Sequence, residues 1–332
     1  MKVAIAGAAS RVDRQFVTGI EQPIREVVRA ALSSATLPLA EVDLVVTVAS
    51  DALDGQMVPI RAELAGAVGK SYLNVPSAAG HAIAAAAAAI EAGDATNVLV
   101  VGWGAASRLA ENDGRANQFD PFYMRPAGAT PRAVAALQRQ VLSASGYFTD
   151  SDIEAFEARM ESAVWKGGAG KQPPEFCDGV AAVVLMRAPE AGAGLFIADH
   201  ETASRSHAPL DSSLDPAGWV GEALMCLTGT RSRTAPASGF IEVSGSSSCA
   251  EMRAIAASAE SGLTGCMPDR ANEAGGGAAA WFGPATGLRS FAELCGRRLR
   301  DAEGDASGVF VDLAGPLSQL VTTILIEQRS AA

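Results

Sequence analysis

The sequence has few of the residues that build disulfide frameworks and metal centres. Its five cysteines are an odd number, are widely spread and form no Cys-x-x-Cys pair, and there are only three histidines. Disulfide-stapled domains and zinc sites depend on paired or closely spaced cysteines and histidines. These absences argue against a disulfide framework, a zinc site and metal catalysis.

Long apolar runs and basic stripes are also missing. No stretch approaches the roughly 18 consecutive apolar residues of a membrane helix, and the opening MKVAIAGAASR turns polar too early for a signal peptide. Acidic side chains outnumber basic ones, 37 to 26, which gives a net charge of −11. An acidic surface repels phosphate backbones. We therefore expect a cytoplasmic protein with no nucleic-acid partner and no membrane association.

The chain is rich in small and apolar residues. It has 332 residues, of which 48% are hydrophobic and 19% charged, enough for a sizeable core in one large or two medium domains. Short β-branched runs alternate with Ala-rich segments of helical length, a pattern typical of α/β layers with buried parallel strands. The predicted strands are 3–7, 42–49, 97–102, 181–186, 195–200, 239–244, 308–314 and 320–327. The predicted helices are 23–33, 79–92, 133–146, 150–165, 219–228, 250–260 and 286–300.

A strand–helix–strand block occurs twice. VDLVVTVAS and NVLVVGWG flank a helix in the first half, and GFIEVSGSS and GVFVDLAG flank one in the second. Such a repeat predicts an internally duplicated fold. We expect an N-terminal half over 1–190, with an insertion over about 105–175 that covers one face of the sheet, and a C-terminal half over 191–332.

Six segments along the chain share their order and spacing with one known family. They are LAEVDLVVTVASD, AIEAGDATNVLVVGWG, FCDGVAAVVLM, GFIEVSGSSSCAEM, NEAGGGAAAWFGPATGLRSFAEL and GVFVDLAGPLSQLVTTILIE. Together they resemble the thiolase superfamily, and most of all its lipid-transfer or sterol-carrier-protein type. The resemblance covers nearly the whole chain. It implies an α/β thiolase fold: duplicated βαβαβαββ halves in a five-layer α/β/α/β/α sandwich with an inserted loop domain. It also implies a dimer joined across first-half strands, and acyl-CoA chemistry.

The resemblance identifies four positions that carry chemistry in thiolases, and none of them keeps the family's residue. Ser77 stands where the nucleophilic cysteine is expected, and Ser244 stands at a histidine of the oxyanion hole. Trp281 or Phe282, depending on the direction of counting, replaces the histidine that activates the nucleophile. The acid/base cysteine of the last loop corresponds to about Ala314. An alcohol, unlike a thiol, is not made a nucleophile without a dedicated base.

These four replacements on a retained scaffold predict that thiolysis has been lost. We expect a non-thiolytic or strongly altered subunit of acyl-CoA metabolism, present as a homodimer or as a heterodimer with a catalytic thiolase. An OB-fold, zinc-ribbon companion, as found with lipid-transfer thiolases, is a second candidate partner. No tightly bound cofactor is expected, but a coenzyme A thioester is a possible ligand. The candidate contacts are Arg125 and Arg132 of the insertion, a region that contacts coenzyme A in thiolases, together with Gly276 and Gly283.

The alternative is an autonomous acyl-CoA acyltransferase, retro-aldolase or thioesterase. Ser77 would be its nucleophile and His81, four residues later on a predicted helix, its base. The simpler structural role for Ser77 is the N-cap of that helix. Trp281 and Phe282 would place bulk where a histidine and an acyl chain meet in the family, and so fill the pocket.

Overall fold

The computed structural model describes most of the chain. The described residues are 2–50, 58–76, 78–108, 122, 126–128, 130–165, 176–188, 193–204, 239–244, 253, 255–256, 266–276, 280–300, 306–314 and 320–330. The strands are β1 (Lys2–Asp13), β2 (Leu44–Val48), β3 (Ser71–Asn74), β4 (Asn97–Ala105), β5 (Asp178–Ala188), β6 (Gly194–Ser204), β7 (Gly239–Ser244), β8 (Cys266–Ala271), β9 (Ala306–Ala314) and β10 (Leu320–Arg329). The helices are α1 (Glu21–Ser34), α2 (Val58–Leu64), α3 (Ala79–Ala92), α4 (Pro131–Ala144), α5 (Asp150–Val164) and α6 (Thr286–Arg300).

The strands form one ten-stranded sheet whose two halves have the same strand order. The order is β3-β2-β4-β5-β1-β6-β10-β9-β7-β8, so each half, read from its outer edge, runs third, second, fourth, fifth and first strand. The strand directions repeat as well. In the first half β2 runs parallel to β3 and β4, and in the second half β7 runs parallel to β8 and β9. The halves meet where β1 pairs with β6 through Val3 with Ile197 and Ala4 with Phe196. The predicted duplicated α/β fold is confirmed.

Helices α3 and α6 lie between the two halves of the sheet. Both contact strands of both halves, and they contact each other. Nine of the 14 residues of α3 are alanine, so its small side chains allow strands to approach it closely. The helix ends at Gly93, which is in the left-handed conformation with φ of 89°. Their apolar side chains join one core cluster with strands of both halves, including Ala82, Ile83, Ala86, Leu288, Phe291, Val98, Val100, Phe310 and Ile324.

The outer faces of the sheet are covered by the remaining helices. The apolar side of α1 packs on the first half, where Ile24, Val27 and Ala31 share a cluster with Val45 and Leu99. The helices of the insertion, α4 and α5, pack on the second half, with Leu142, Ile153, Phe156 and Met160 against Ile241, Val243, Val309 and Val311. This completes the five predicted layers, and two helices from the predicted insertion cover one face of the sheet, whereas the bounds of the insertion stay a prediction.

Two edge strands and one helix were not predicted. Strands β3 and β8 lie at the two outer edges of the sheet, and α2 is only seven residues long. Of the predicted helix 250–260, Arg253, Ile255 and Ala256 are described and are helical, whereas helix 219–228 lies outside the described residues. The division of the chain near residue 190 stays a prediction.

No helix in the described part of the chain is both long enough and apolar enough to span a membrane.

Candidate functional site

The candidate site lies where α3 and α6 begin against the ends of β7 and β9. The carboxylate Oδ2 of Asp312, near the end of β9, accepts a hydrogen bond of 2.6 Å from the backbone N–H of Gly80 in α3. The hydroxyl of Ser244, the last residue of β7, donates to the Ser290 hydroxyl of α6 over 3.1 Å. All of these side chains are buried. Two helix N-termini and two strand ends therefore converge at this point.

The predicted site residues are only partly among those described. Ser77 and Arg125 lie outside the described residues, as does the side chain of Arg132, whose backbone is in the first turn of α4. His81 is half-buried in the first turn of α3, and burial lowers the pKa of its imidazole, which favours the neutral ring. The pairing of Ser77 with His81 stays a prediction.

The N-cap of α3 is not where the sequence predicted it. The helix begins at Ala79, and its N-cap residue is Ala78, in an extended conformation and with no side-chain cap. The N-cap assigned to Ser77 is therefore wrong by one residue. Asp312, from the other half of the fold, supplies the missing acceptor for the first N–H groups of the helix.

Trp281 and Phe282 are both packed into the interior. Trp281 is only 4% exposed, and its ring meets that of Phe176 edge to face, with the centroids 5.6 Å apart. The Trp281 carbonyl accepts hydrogen bonds from the backbone N–H of Cys177 over 3.2 Å and from its thiol over 3.4 Å. The position that the family resemblance assigns to a histidine is thus occupied by a side chain that cannot carry a proton.

Phe282 fills a slot made by two glycines. Gly104 of β4 and Gly179 of β5 are directly paired in the sheet, and both lie against Phe282. The Phe282 N–H donates to the hydroxyl of Thr286, which fixes the start of α6. Phe282 is fully buried, and no larger residue than glycine fits beneath it.

The glycine-rich turn after β8 is held by a buried acid and a buried base. Glu242 accepts hydrogen bonds from the N–H groups of Ala274 and Gly276, over 3.0 and 2.9 Å. The Arg289 guanidinium donates to the carbonyls of the same two residues. Burial raises the pKa of Glu242 to about 7, and the two N–H groups and Arg289 oppose that shift. Both backbone groups of Gly276, a predicted coenzyme A contact, are therefore engaged within the chain.

Gly283 and Asn272 both have a positive φ angle, which residues other than glycine seldom adopt. Gly283 has φ of 104°, and its carbonyl accepts from the Thr286 N–H over 3.0 Å, so it sets the turn into α6. Asn272 has φ of 55°, and its side-chain amide bonds both the N–H and the carbonyl of Val243. Asparagine tolerates the left-handed region better than most residues. The role of Gly283 in binding coenzyme A stays a prediction.

Asp312 is the polar residue that sequence reasoning missed. It is only 2% exposed, and its second carboxylate oxygen, Oδ1, has no hydrogen-bond partner among the described residues. Burial raises its pKa to about 7, against the opposing effect of the Gly80 and Ala79 N–H groups. The available signal was a single aspartate inside the otherwise apolar run GVFVDLAG.

We expect Asp312 to make the protein less stable as the pH rises from about 4 to about 7. Its pKa is higher in the folded chain than the ordinary 3.8, so the folded state holds the proton more tightly and stability falls through that window. Asp312→Asn has no carboxyl group to titrate at this position. Its free energy of unfolding relative to wild type should therefore rise by on the order of 3 kcal/mol between pH 4 and pH 8. Urea unfolding at a series of pH values measures the difference.

Asp43→Asn is the matched control for this titration. Asp43 also accepts two backbone N–H groups, those of Thr96 and Asn97, but it is exposed and these bonds lower its pKa. The difference in unfolding free energy between Asp43→Asn and wild type should be constant between pH 5 and pH 8. A constant difference between wild type and Asp312→Asn over the same range would contradict the assignment to Asp312.

Among the described residues, no group of three or more His, Cys, Asp or Glu side chains is placed to hold a metal ion.

Comparison with known proteins identifies the fold. No protein-family model matches the chain, and no curated protein sequence matches it. Solved structures do: Acat5 thiolase from Ascaris suum in complex with coenzyme A has a TM-score of 0.70 at 16% identity, over 99% of this chain and 100% of that one. The Ltp2-ChsH2(DUF35) aldolase has a TM-score of 0.71 at 16% identity, over 98% of each chain. Acetyl-CoA acetyltransferase from Syntrophomonas wolfei has a TM-score of 0.68 at 14% identity, over 99% of each chain.

Proposed function

We propose that this chain, which has the thiolase fold, binds an acyl-CoA thioester but does not carry out thiolysis by itself. The proposal rests on the side chains at two positions where the resemblance places a histidine. Ser244 donates its hydroxyl proton to Ser290, and Trp281 is buried against Phe176. Neither side chain can act as a proton carrier near neutral pH, as a histidine does. A retained fold without its usual chemistry commonly serves binding.

The proposed ligand is a coenzyme A thioester. The Ascaris suum thiolase, whose fold this chain shares, is in complex with coenzyme A. Arg125 and Arg132 are the proposed contacts for its phosphates, since a guanidinium forks to phosphate oxygens. Gly276 and Gly283 are proposed to border the pantetheine arm. No cofactor needs to be bound tightly for this role.

The proposed mode of action is as a subunit of a larger assembly. The Ltp2-ChsH2(DUF35) aldolase, of the same fold, is itself a two-component protein by its name. Strand β3 ends the sheet, and Leu73 on it is 42% exposed. An uncovered edge strand can pair with a strand of a second chain. The candidate partners are a second copy, a catalytic thiolase and an OB-fold, zinc-ribbon companion.

We expect the purified chain to bind acetyl-CoA without releasing coenzyme A, and activity to appear only with its partner. Native mass spectrometry of the chain affinity-purified from its own host gives the composition of the assembly. Isothermal titration with acetyl-CoA measures binding, and a thiol reagent measures release of coenzyme A by the chain alone and by the assembly. Ser77→Ala should leave the activity of the assembly unchanged, as should the exposed control Ser143→Ala.

The same experiment separates the proposal from its alternative. A homodimer that releases coenzyme A unaided, and loses that activity on Ser77→Ala but not on Ser143→Ala, would establish an autonomous acyltransferase, retro-aldolase or thioesterase with Ser77 as nucleophile. A chain that does not bind acetyl-CoA would contradict the proposal itself.

A further inference from the structure

A cavity lies on the outer side of the first half of the fold, between α1 and the turn that follows α2. Its volume is about 610 Å³, which is in the range of small-molecule sites. Its lining includes the loop 36–39, which precedes β2, and the turn 64–66, which precedes β3. Helix α3 begins instead after the end of β3, and β2 and β3 are parallel. The cavity therefore lies at the opposite end of these strands from the start of α3 and the candidate site.

The inner surface of this cavity is apolar. Val28, Leu32 and Leu37 line it, are at most 7% exposed and belong to the core beneath α1. Leu39 also lines it but is 38% exposed. Leu39 lies against Gly66, where a Cβ atom would be 3.1 Å from the Leu39 Cδ2. A hydrocarbon chain in the cavity would therefore cover leucine surface that solvent contacts, which favours its binding.

Two arginines stand at one end of the cavity. Arg25 and Arg29 are one turn apart on the same side of α1 and are both exposed. Neither makes a hydrogen bond or an ion pair with a residue in the described part of the chain. Glu26 beside them is bound to Arg11, and the acid among the described lining residues is Glu63, on α2. In a chain with a net charge of −11, this pair of guanidinium groups is a local site for an anion, and a carboxylate suits its geometry.

Thr36, towards the other end of the cavity, has a backbone conformation that its own side chain disfavours. Its N–H donates to the Ser33 carbonyl over 3.1 Å, and the Leu37 N–H donates to the Leu32 carbonyl over 3.0 Å, which closes α1. The residue at this position of a helix end is usually glycine, because its φ is positive. Thr36 has φ of 54°, and a β-branched residue there costs stability. Such costs are often kept at binding sites, and Thr36 lines the cavity.

We propose that this cavity binds a single-chain aliphatic carboxylate, such as a medium-chain fatty acid. The carboxylate lies at Arg25 and Arg29, and the hydrocarbon chain runs beside α1 towards Thr36. The helix from Arg25 to Ser33 is about 12 Å long, which suits a chain of medium length. This site is separate from the proposed acyl-CoA site and does not depend on it.

Isothermal titration with decanoate, below its micellar concentration, tests the proposal. We expect the wild-type chain to bind decanoate with a dissociation constant below about 1 mM. Butanoate has the same head group with six fewer methylene groups and should bind at least about tenfold more weakly. Decyltrimethylammonium has the same chain length with a positive head group and should also bind at least about tenfold more weakly, because it meets the two arginines.

Charge variants test the head-group position. Arg25→Gln and Arg29→Gln should each weaken decanoate binding by at least about tenfold, the effect of losing one hydrogen bond to a charged group. Glu63→Gln should strengthen it by up to about fivefold, the effect of one unit charge a few ångström away in water. Arg300→Gln, which removes an exposed arginine at the end of α6, is the matched control and should bind decanoate like wild type.

Thr36→Gly separates a binding role from a structural one. It relieves the left-handed conformation of a β-branched residue, so it should raise the melting temperature by about 2–4 °C. It also removes a side chain from the cavity wall, so it should weaken decanoate binding by about fourfold, the effect of one buried methyl group. A purely structural residue would not change stability and binding in opposite directions.

The outcomes decide between this site and its alternatives. The proposal would be overturned by a wild-type chain that does not bind decanoate, by equal binding of decyltrimethylammonium, or by wild-type affinity in Arg25→Gln and Arg29→Gln. Binding of decyl phosphate more than about tenfold tighter than decanoate would identify a phosphate site instead. Titration of the same variants with acetyl-CoA should give the wild-type dissociation constant, so failure of this site is distinguished from failure of the proposed function.

Discussion

Arg289→Met is expected to destabilise the protein by about 2–6 kcal/mol, because it leaves two buried carbonyl groups without their donor at a cost of about 1–3 kcal/mol each. Arg289 is 2% exposed, and its guanidinium donates to the carbonyls of Ala274 and Gly276 and to the Ser290 hydroxyl. Its loss leaves two buried carbonyls unpaired and the buried Glu242 without its cation. Urea unfolding gives the change in free energy.

A double variant tests the reason for this loss. Glu242→Gln removes the charge that Arg289 neutralises, so Arg289→Met with Glu242→Gln should lose less than the sum of the two single variants. Arg300→Met, an exposed change at the end of the same helix, should stay within about 0.5 kcal/mol of wild type. A loss below about 1 kcal/mol for Arg289→Met, or strict additivity, would show that the turn after β8 is held by other contacts.

Gly104→Ala is expected to destabilise the protein by about 3 kcal/mol or more, the upper range for overpacking a core. A Cβ on Gly104 would overlap the Phe282 carbonyl oxygen and lie 2.9 Å from its carbon. These are backbone atoms, and they are fixed by the hydrogen bond from the Phe282 N–H to Thr286. The added methyl group therefore has to displace the start of α6 or the middle of the sheet.

Gly179→Ala provides a sharp comparison. Its Cβ would lie 2.5 Å from Cδ1 and 2.7 Å from Cζ of the Phe282 ring. These are side-chain atoms, so substituting a smaller residue for Phe282 removes the clash. Phe282→Leu should therefore relieve Gly179→Ala but not Gly104→Ala in thermal and urea unfolding. Gly296→Ala is the control, since its Cβ meets only Arg300 at 3.6 Å on a helix and should be neutral or slightly stabilising. Equal rescue of both glycine variants would refute the distinction between backbone and ring contact.

The regular elements of the core follow closely from the sequence. Helices α3 and α6 and strand β7 have the predicted limits, because long apolar or amphipathic periods determine them locally. Strands β3 and β8 were missed. They are short edge strands, SYLN and CMPDRA, and such segments become strands because of their neighbours β2 and β7 rather than through a pattern of their own.

The sequence named several residues of the candidate site but not the contacts that they make. The sequence led to Ser244, Trp281 and the glycine-rich turn, and the structure describes them near the ends of β7 and the start of α6. It did not lead to Asp312, whose hydrogen bond to Gly80 joins residues 232 positions apart. It also placed the N-cap of α3 on Ser77, since the helix pattern alone fixes an end only to within a residue or two.

The sequence by itself therefore determined the layered, duplicated fold, and it predicts that the positions matched to thiolase catalytic residues lack thiol and imidazole groups. Both are properties of residue type and of periodicity along the chain. Only the tertiary structure decided that Asp312 caps α3 with one oxygen unpaired, and that Phe282 sits over Gly104 and Gly179. Those contacts join the two halves of the fold, and their existence depends on where the sheet and the central helices bring distant residues together.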